Sequence, residues 1–329
     1  MKLPDDLADR VGDRLLDPGT SKLWRYLMGL LALLLLADLL LGWYWSREPD
    51  VLPVAQARAG VVGEATTRSL IQVSSTLLDK PGGYLSNDVL PHRLWLDNMP
   101  NWEYGVLVQV RDMIRVMRRD MSRSQSQSQE DVDLARAEPR FNFDNASWAM
   151  PATESEYRGG IRALQSYLDR LSAQDAAFYA RADNLNYWLG DVQKGLGSLS
   201  LKLSQSVGRD QLDPDASTLP EATRAMQTKT PWSQVDDVFY EARGASWALI
   251  HLMRAAEEDF ADVLEKKNAT VSFNQVIREL ESTQETVWSP MILNGSGFGM
   301  LANHSLVMAN YISRANAALL DLRQLLAQG

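Results

Sequence analysis

The sequence lacks cysteine altogether, and it holds only three histidines in 329 residues. The absence of cysteine excludes disulfides, thiol catalysis and cysteine-ligated zinc. The histidines, His92, His251 and His304, lie far apart in the chain. On their predicted helices, His251 and His304 have no metal-ligand residue type three or four positions away, so we expect no metal and no other cofactor.

Familiar enzyme motifs and an excess of positive charge are also missing. The chain contains no His-Glu-x-x-His, no Gly-x-Ser-x-Gly and no phosphate loop ending in Gly-Lys-Ser/Thr. Its net charge is -9 and its pI is about 5.0, which argues against nucleic acid as a partner, because a phosphate-binding face needs clustered Lys and Arg. The sequence therefore favours a non-enzymatic protein that does not bind nucleic acid.

The sequence does contain one long apolar run, LWRYLMGLLALLLLADLLLGWYW, from Leu23 to Trp45. A helix of this length spans roughly 35 Å at about 1.5 Å per residue, more than the hydrocarbon core of about 30 Å. Tryptophan and tyrosine stand at both ends, as they do at membrane–water interfaces. We predict an uncleaved transmembrane anchor at 23–45. The alternative, a cleaved signal peptide, needs a cleavage site close to the run, whereas Ala55-Gln-Ala57 lies well beyond it.

The basic residues that flank this span predict its orientation. The N-terminal side carries four of them: Arg10, Arg14, Lys22 and Arg25. The other side has only Arg47 and Arg58. Because Lys and Arg tend to stay on the cytoplasmic side, residues 1–22, a short amphipathic segment, are predicted to be cytoplasmic, and residues 46–329 to cross the membrane. In a bacterium this describes a single-pass inner-membrane protein with a periplasmic main domain.

A candidate intramembrane contact, Asp38 with Gly42, lies inside the apolar run. A carboxylate near mid-membrane costs about 2.5–3.5 kcal/mol on insertion scales, so it often has a partner. The two residues are four apart and share one helix face, which would admit a second helix closely. The alternative is that a leucine-rich anchor tolerates one aspartate displaced toward the outer interface.

The rest of the chain has the apolar spacing of helices. Steps of three and four recur through most of residues 56–329, after a linker at 46–55. This predicts an all-α domain, a bundle of long antiparallel, coiled-coil-like helices. The spacing is unbroken over residues 157–203, which predicts one helix of about 50 residues. Two polar regions interrupt the pattern: a loop near 122–152 and a turn region near 209–231.

One aromatic segment, GGYLSNDVLPHRLWLDNMPNWEYG at 82–105, is too broken for a continuous helix. It is interpreted either as a structural plug of the bundle or as a binding surface, because buried loops and interface hot spots use the same residue types. The plug interpretation predicts that Trp95 and Trp102 are buried, while His92 and Arg93 stay partly exposed. A helix is predicted to begin near Trp102, capped by Asn101. The candidate partner or ligand surface comprises Tyr84, Asn87, Asp88, His92, Arg93, Trp95 and Trp102.

The short N-terminal lead, the single anchor, the GGYLSND…PHRLWLDNMPNWEYG block and the helical remainder together resemble an uncharacterised family of proteobacterial single-pass inner-membrane proteins, a domain of unknown function. The resemblance implies no activity, cofactor or catalytic residue. We expect a non-enzymatic envelope scaffold or accessory subunit that binds an envelope protein or a second copy of itself. The alternative is an envelope enzyme, ligand-binding module or sensor that acts on cell-wall or lipid material through a cleft lined by residues 82–105.

Overall fold

The structure is a computed structural model that describes residues 18–53, 60–89, 98–123, 129–212, 225–289, 291–296 and 300–328. The helices in this part of the chain are α1 (Pro18–Trp45), α2 (Glu64–Asp79), α3 (Asn98–Val116, followed by a π-helical turn Met117–Met121), α4 (Val132–Phe141), α5 (Thr153–Ser172), α6 (Ala182–Ser204), α7 (Val235–Asp259), α8 (Ala261–Lys266), α9 (Thr270–Ser282) and α10 (His304–Ala327). A short antiparallel hairpin, β1 (Arg209–Leu212) with β2 (Ala225–Thr228), lies between α6 and α7. The predicted helical fold with an N-terminal apolar helix is confirmed, with this hairpin as its only regular exception in the described residues.

Helix α1 carries the apolar run. The span from Trp24 to Trp45 contains an 18-residue window with a mean hydropathy of 2.1, and only 6% of that window is buried. The helix is therefore long and apolar enough to cross a membrane. The described part of this helix starts at Pro18. Residues 1–17, which hold most of the predicted amphipathic segment, lie outside the described residues.

Helices α3 and α7 form the centre of the bundle and run parallel to each other. Near their N-termini, the Asn101 amide donates a hydrogen bond of 2.6 Å to the Asp237 carboxylate. Their C-termini both reach residues 178–179, which contact Met121 through a backbone hydrogen bond of 2.7 Å and Phe260 through ring packing. This pair differs from the antiparallel arrangement that the sequence predicts.

Two glycines allow α3 and α7 to approach closely. A Cβ atom at Gly105 would lie 2.0 Å from the carbonyl oxygen of Glu241, and one at Gly244 would lie 2.0 Å from the carbonyl oxygen of Trp102. Because both distances are far below van der Waals contact, only glycine fits at either position without a backbone shift.

Other neighbouring helices run antiparallel, as predicted: α2 against α5, and α6 against α10. In the second pair, Arg323 near the end of α10 donates to Asn186 near the start of α6 at 2.9 Å. The hydroxyl groups of Ser313 and Ser200 lie 2.6 Å apart toward the opposite end of the pair. The opposite order of the two contacts along the helices fixes the antiparallel direction.

The prediction of one helix over residues 157–203 is wrong, because residues 173–181 break it into α5 and α6. The chain turns at Gln174, which has a positive φ of 61°. Within the break, Phe178 is buried and packs against Phe260, with ring centroids 5.8 Å apart. The apolar spacing therefore continues across the break, although the helix does not.

The two predicted polar regions also contain regular structure. The loop predicted near 122–152 includes α4, whose N-terminus is capped by the Asp131 carboxylate and whose Leu134 and Phe141 are buried. The turn region predicted near 209–231 includes the β-hairpin. A short helix within a polar stretch has too few apolar residues to reveal its period.

The bundle has two ends, which we name by their relation to α1. At the α1 end, the Trp45 ring covers Gly82, where a Cβ atom would lie 2.7 Å from the ring. This end contains the C-termini of α2 and α6 and the N-termini of α3, α7 and α10. At the far end, the Asp259 carboxylate of α7 accepts hydrogen bonds of 2.7 Å from the N–H groups of Gly63 and Thr66 at the start of α2.

Candidate functional site

The first part of the aromatic segment is packed into the α1 end and bonded to the loop between α4 and α5. Tyr84 and Asn87 are both buried. The Tyr84 hydroxyl donates to the carbonyl of Asn145 at 3.0 Å. The Asn87 amide donates to the carbonyl of Ser147 at 2.9 Å and to the Glu154 carboxylate at 2.7 Å. These two side chains therefore hold the segment against the loop between α4 and α5, and their role toward a partner stays a prediction.

A buried ion pair clamps the same segment onto α3. Glu103 of α3 and Lys80 at the end of α2 form a salt bridge in which both side chains are completely buried. The Glu103 carboxylate also accepts N–H bonds of 2.8 Å from Leu85 and Ser86. A buried charge is tolerated only when it is paired and hydrogen-bonded, so Glu103 fixes the path of the chain over the bundle end.

Trp102 confirms the part of the plug interpretation that the structure describes. Its side chain is completely buried, and its ring packs against Trp247 of α7 with centroids 5.1 Å apart. Asp88 is half-buried. The remaining predicted contact residues lie outside the described residues: His92, Arg93 and Trp95.

The predicted start of the helix at Trp102 is wrong by one turn. Helix α3 begins at Asn98, with Pro100 in its first turn, where a proline leaves no helical hydrogen bond unmade. Asn101 lies inside the helix and bonds to Asp237, so it does not cap the N-terminus. The sequence predicts too late a start because proline breaks a helix in its interior but is tolerated in the first turn.

Immediately after α1, residues 46–53 run along α7; we call this segment the strap. Three successive turns of α7 bind it. The Arg243 guanidinium donates to the Glu48 carboxylate at 2.5 Å, and the Trp247 indole N–H donates to the carbonyl of Asp50 at 3.1 Å. Further along, His251 accepts a hydrogen bond of 2.9 Å from the Leu52 N–H. The predicted linker at 46–55 is thus part of the packed domain over its described residues. Every second residue of the strap thus meets every fourth residue of α7. The two spacings match because two extended residues advance the chain by about 6.6 Å and one helical turn advances it by about 5.4 Å.

The hydrogen bonds of His251 define its protonation state. Since the Leu52 N–H donates to Nε2, this nitrogen is unprotonated, and Nδ1 carries the proton that it donates to the carbonyl of Trp247 at 2.7 Å. Burial lowers the pKa of His251 below its ordinary value, which favours the same neutral form. A second proton would remove the acceptor of the Leu52 N–H, so the last contact of the strap depends on neutral His251.

Arg243 joins the strap to a third element, the turn after α9. Besides Glu48, its guanidinium donates to the carbonyl oxygens of Thr283 at 3.1 Å, Glu285 at 2.8 Å and Gln284 at 3.3 Å. Burial raises the pKa of Glu48, and the charge of Arg243 opposes this rise. One guanidinium therefore holds three segments at the α1 end.

Beside Arg243, a cavity of about 290 Å³ opens between α7, α10 and the segment after α9. Its apolar walls are formed by Phe239, Val287, Trp288, Val307, Met308 and Tyr311. Arg243 and His304 are its basic residues. Since the Leu293 N–H donates to Nδ1 of His304 at 3.0 Å, the neutral ring has its proton on Nε2, and burial lowers the pKa of this histidine. The volume is at the lower limit of ordinary ligand pockets, about 300–1,000 Å³.

The candidate intramembrane pair lies on α1, away from these features. Asp38 is half-buried and Gly42 is buried, whereas the leucines of α1 between 27 and 41 are exposed. Both residues are described only within this single chain, so their predicted contact with a second helix stays a prediction.

Sequence reasoning missed the strap and the cavity. One signal for the strap was present: Arg243, Trp247 and His251 recur every four residues and form one stripe on α7. Nothing in the sequence connects that stripe with residues 46–53, almost 200 positions earlier. Among the described residues, no three histidine, aspartate or glutamate side chains are grouped closely enough to hold a metal ion.

These features define a class: an all-helical bundle joined to one apolar N-terminal helix through a docked strap. The family model of an uncharacterised protein conserved in bacteria (DUF2333) matches residues 19–329, and the chain belongs to this family. The match covers α1, the strap and the whole bundle. Comparison with curated proteins and with solved structures found no match.

Proposed function

We propose that this protein is a non-enzymatic, single-pass protein of the bacterial inner membrane. In this proposal the N-terminus is cytoplasmic, and the helical domain is periplasmic and acts as a scaffold or accessory subunit for another envelope protein. Membership of a family conserved in bacteria and the apolar helix α1 support the location. The strap is the observation that carries the scaffold role.

The strap binds the chain after α1 directly to the helical domain, so residues 46–53 do not act as a free linker. A tethered enzyme or a capture module benefits from a long polar linker that lets it search for its target. Here Trp45 contacts Gly82, and the chain bonds to α7 at Glu48, Asp50 and Leu52. The domain is thus presented in one orientation relative to α1, as a scaffold that positions a partner requires.

A furrow along the outer face of α10 is the surface that we assign to the partner. It joins the cavity beside Arg243 to two further depressions of about 720 and 410 Å³. Val307 lines the first and second of the three, and Leu306 lines the second and third, so the three depressions follow one another along α10 as far as Ala317. A groove of this length along one helix, with Leu306 and Val307 beside the polar Asn310 and Arg314, suits an amphipathic helix of a partner protein.

Site-specific photocrosslinking in living cells tests this proposal. A photoreactive amino acid replaces Asn310, an exposed residue in the furrow, and separately Lys194, whose side chain is 82% exposed on α6. We expect a discrete adduct with one envelope protein from position 310 and none from position 194. An adduct of the chain with itself at 310 would identify a homo-oligomer. Repeated absence of any adduct at 310 would refute the scaffold role.

Reporter fusions test the proposed topology. Alkaline phosphatase fused after Gly329 should be active, because it folds only after export, while a green fluorescent protein at the same site should be dark. The reverse pattern would place the helical domain in the cytoplasm. The proposed orientation rests on four basic residues before the span against two after it, so both reporters are used at the same site.

The cavity beside Arg243 favours a second function, the binding of a small apolar ligand such as a lipid acyl group. It is distinct from the predicted cleft, because no described residue of 82–105 lines any of the three depressions. Native mass spectrometry of the purified protein would show an adduct of defined mass. The adduct should disappear in Val307→Trp, which fills the cavity, and persist in Ala317→Trp at the far end of the furrow. An adduct that both variants keep would exclude this cavity as its site.

A further inference from the structure

We infer that the α1 end of the helical domain rests on the membrane surface, with the side chains of Trp148, Trp232 and Trp288 inserted among the lipid headgroups. The inference rests on the proposed membrane anchoring through α1 and adds a second, peripheral lipid contact made by the folded domain.

The distribution of tryptophan is the first observation. Outside α1, six tryptophans lie in the described residues, and three of them are core residues: Trp102, Trp188 and Trp247. The other three are among the most exposed apolar side chains of the domain: Trp148 at 67%, Trp232 at 73% and Trp288 at 92%. A large exposed aromatic residue is costly in water and is usually functional when several are grouped.

All three exposed tryptophans belong to the α1 end, although they come from separate connections. Trp148 follows Ser147, whose carbonyl accepts a hydrogen bond from Asn87 in the plug. Trp232 lies in the turn that leads into the N-terminus of α7. Trp288 follows residues 283–285, whose carbonyls bind Arg243 beside the strap. The exposed apolar residues of the far end, such as Val132 and Val271, include no described tryptophan.

The position of α1 sets the depth of this end. Trp43 and Tyr44 are exposed at the C-terminus of α1, where an aromatic belt marks the membrane–water interface. The next residue, Trp45, packs on Gly82 of the plug. The loops of the α1 end therefore begin at the level of the headgroups.

The chemistry of the exposed residues fits a lipid surface. The indole ring has an apolar body and one polar N–H, and it partitions into the headgroup region. Next to Trp148, the flexible apolar side chain of Met150 is 98% exposed. With a net charge of -9, the chain has little electrostatic attraction to anionic lipid, so the contact depends on ring insertion.

Single spin labels in the full chain test the inference, and the natural absence of cysteine makes each label unique. Trp148→Cys, Trp232→Cys and Trp288→Cys are labelled and reconstituted into phosphatidylethanolamine–phosphatidylglycerol vesicles without other proteins. Collision rates with oxygen, which dissolves in lipid, and with a water-soluble nickel chelate then report the depth of each label. Leu35→Cys in α1 serves as the buried-in-lipid control, and Val132→Cys and Val271→Cys serve as water controls.

The quantity compared is the ratio of the collision rate with oxygen to the collision rate with the nickel chelate. We expect this ratio at 148, 232 and 288 to lie between the ratio at 35 and the ratios at 132 and 271. This order of ratios should persist in high salt. Water-like values at the three positions, with a lipid value at 35, would overturn the inference while leaving the anchoring intact. A water-like value at 35 as well would show that the anchoring itself fails. Spin–spin broadening at 288 would overturn the lipid contact in favour of a contact between two copies of the chain.

Discussion

The two ends of the bundle are closed in different ways. At the far end, polar groups satisfy the helix termini: Asp259 binds the first N–H groups of α2, and Asp131 caps α4 while pairing with Arg170 of α5. At the α1 end, Lys80 and Glu103 form a completely buried ion pair, and three tryptophans are exposed: Trp148, Trp232 and Trp288.

This difference supports the inference that the α1 end meets lipid. At the far end, both carboxylate oxygens of Asp259 are used by backbone N–H groups, so this end is closed by hydrogen bonds that satisfy a helix terminus. At the α1 end, the exposed indole rings suit a surface that is covered by lipid. The strap starts at α1 and runs along α7 from the α1 end toward the far end.

The largest expected effect separates the buried tryptophans of the α1 end from the exposed ones. Trp102→Ala should lower the free energy of unfolding by about 3–5 kcal/mol, as truncation of a large core aromatic does. Trp232→Ala should change it by no more than about 0.5 kcal/mol, because the ring is 73% exposed. Urea unfolding of the full chain in detergent micelles, followed by circular dichroism, measures both. Equal losses of unfolding free energy in the two variants would mean that the exposed ring is structural. An unchanged free energy of unfolding in Trp102→Ala would refute the plug interpretation.

The second prediction compares the buried ion pair with an exposed one next to it. Glu103→Ala leaves Lys80 buried without its partner and should cost about 3–5 kcal/mol. Asp79→Asn removes the exposed pair with Arg158, whose side chains are 54% and 50% exposed, and should cost about 0–1 kcal/mol. The same urea titration applies. A small effect of Glu103→Ala would show that this end is held by apolar packing alone.

The third prediction concerns the crossing of α3 and α7 near the α1 end. Gly244→Ala should destabilise the domain by about 1–3 kcal/mol, because the added methyl group would overlap the backbone of Trp102. Gly195→Ala in α6 should instead stabilise it by up to about 1 kcal/mol, since nothing lies within 4 Å of the new Cβ and alanine favours the helix. Thermal unfolding midpoints should move in opposite directions. Movement in the same direction would contradict the close approach.

The smallest expected effect is the pH dependence of the strap. The pKa of His251 is lowered in the folded state from its ordinary value of 6.5, so the unfolded chain takes up the proton first as the pH falls. The contribution of His251 to stability is therefore complete above about pH 7.5, where the unfolded histidine is also neutral, and is lost progressively as the pH falls through 6.5 and below. His251→Gln keeps an acceptor for the Leu52 N–H but does not titrate.

The free energy of unfolding of the native chain, minus that of His251→Gln, should therefore fall between about pH 7.5 and pH 5.5. Other titrating groups cancel in this difference because both chains share them. A difference that is constant or rises with acidity would show that the strap does not hold His251 in its neutral form.

Several parts of the structure were predictable because they depend on local sequence. The apolar period identified α2 and the seam of α3, and Pro81 with two glycines marks the end of α2. The burial of Trp102 followed from ring size within an apolar surrounding. The break at 173–181 was missed because Phe178 keeps the period while the backbone leaves the helix. The candidate surface was predicted on residues that fit a plug equally well, and only their contacts show that Tyr84 and Asn87 face inward.

The sequence by itself determined the helical class and the apolar helix α1, since both depend on periodicity and on length, which can be read along one chain. The tertiary structure alone decided which end the exposed tryptophans share, how α3 and α7 cross, and that residues 46–53 bind α7. The bond from Trp247 to Asp50 joins residues 197 positions apart. Contacts at such a separation form only when the intervening helices have packed, so no local pattern encodes them.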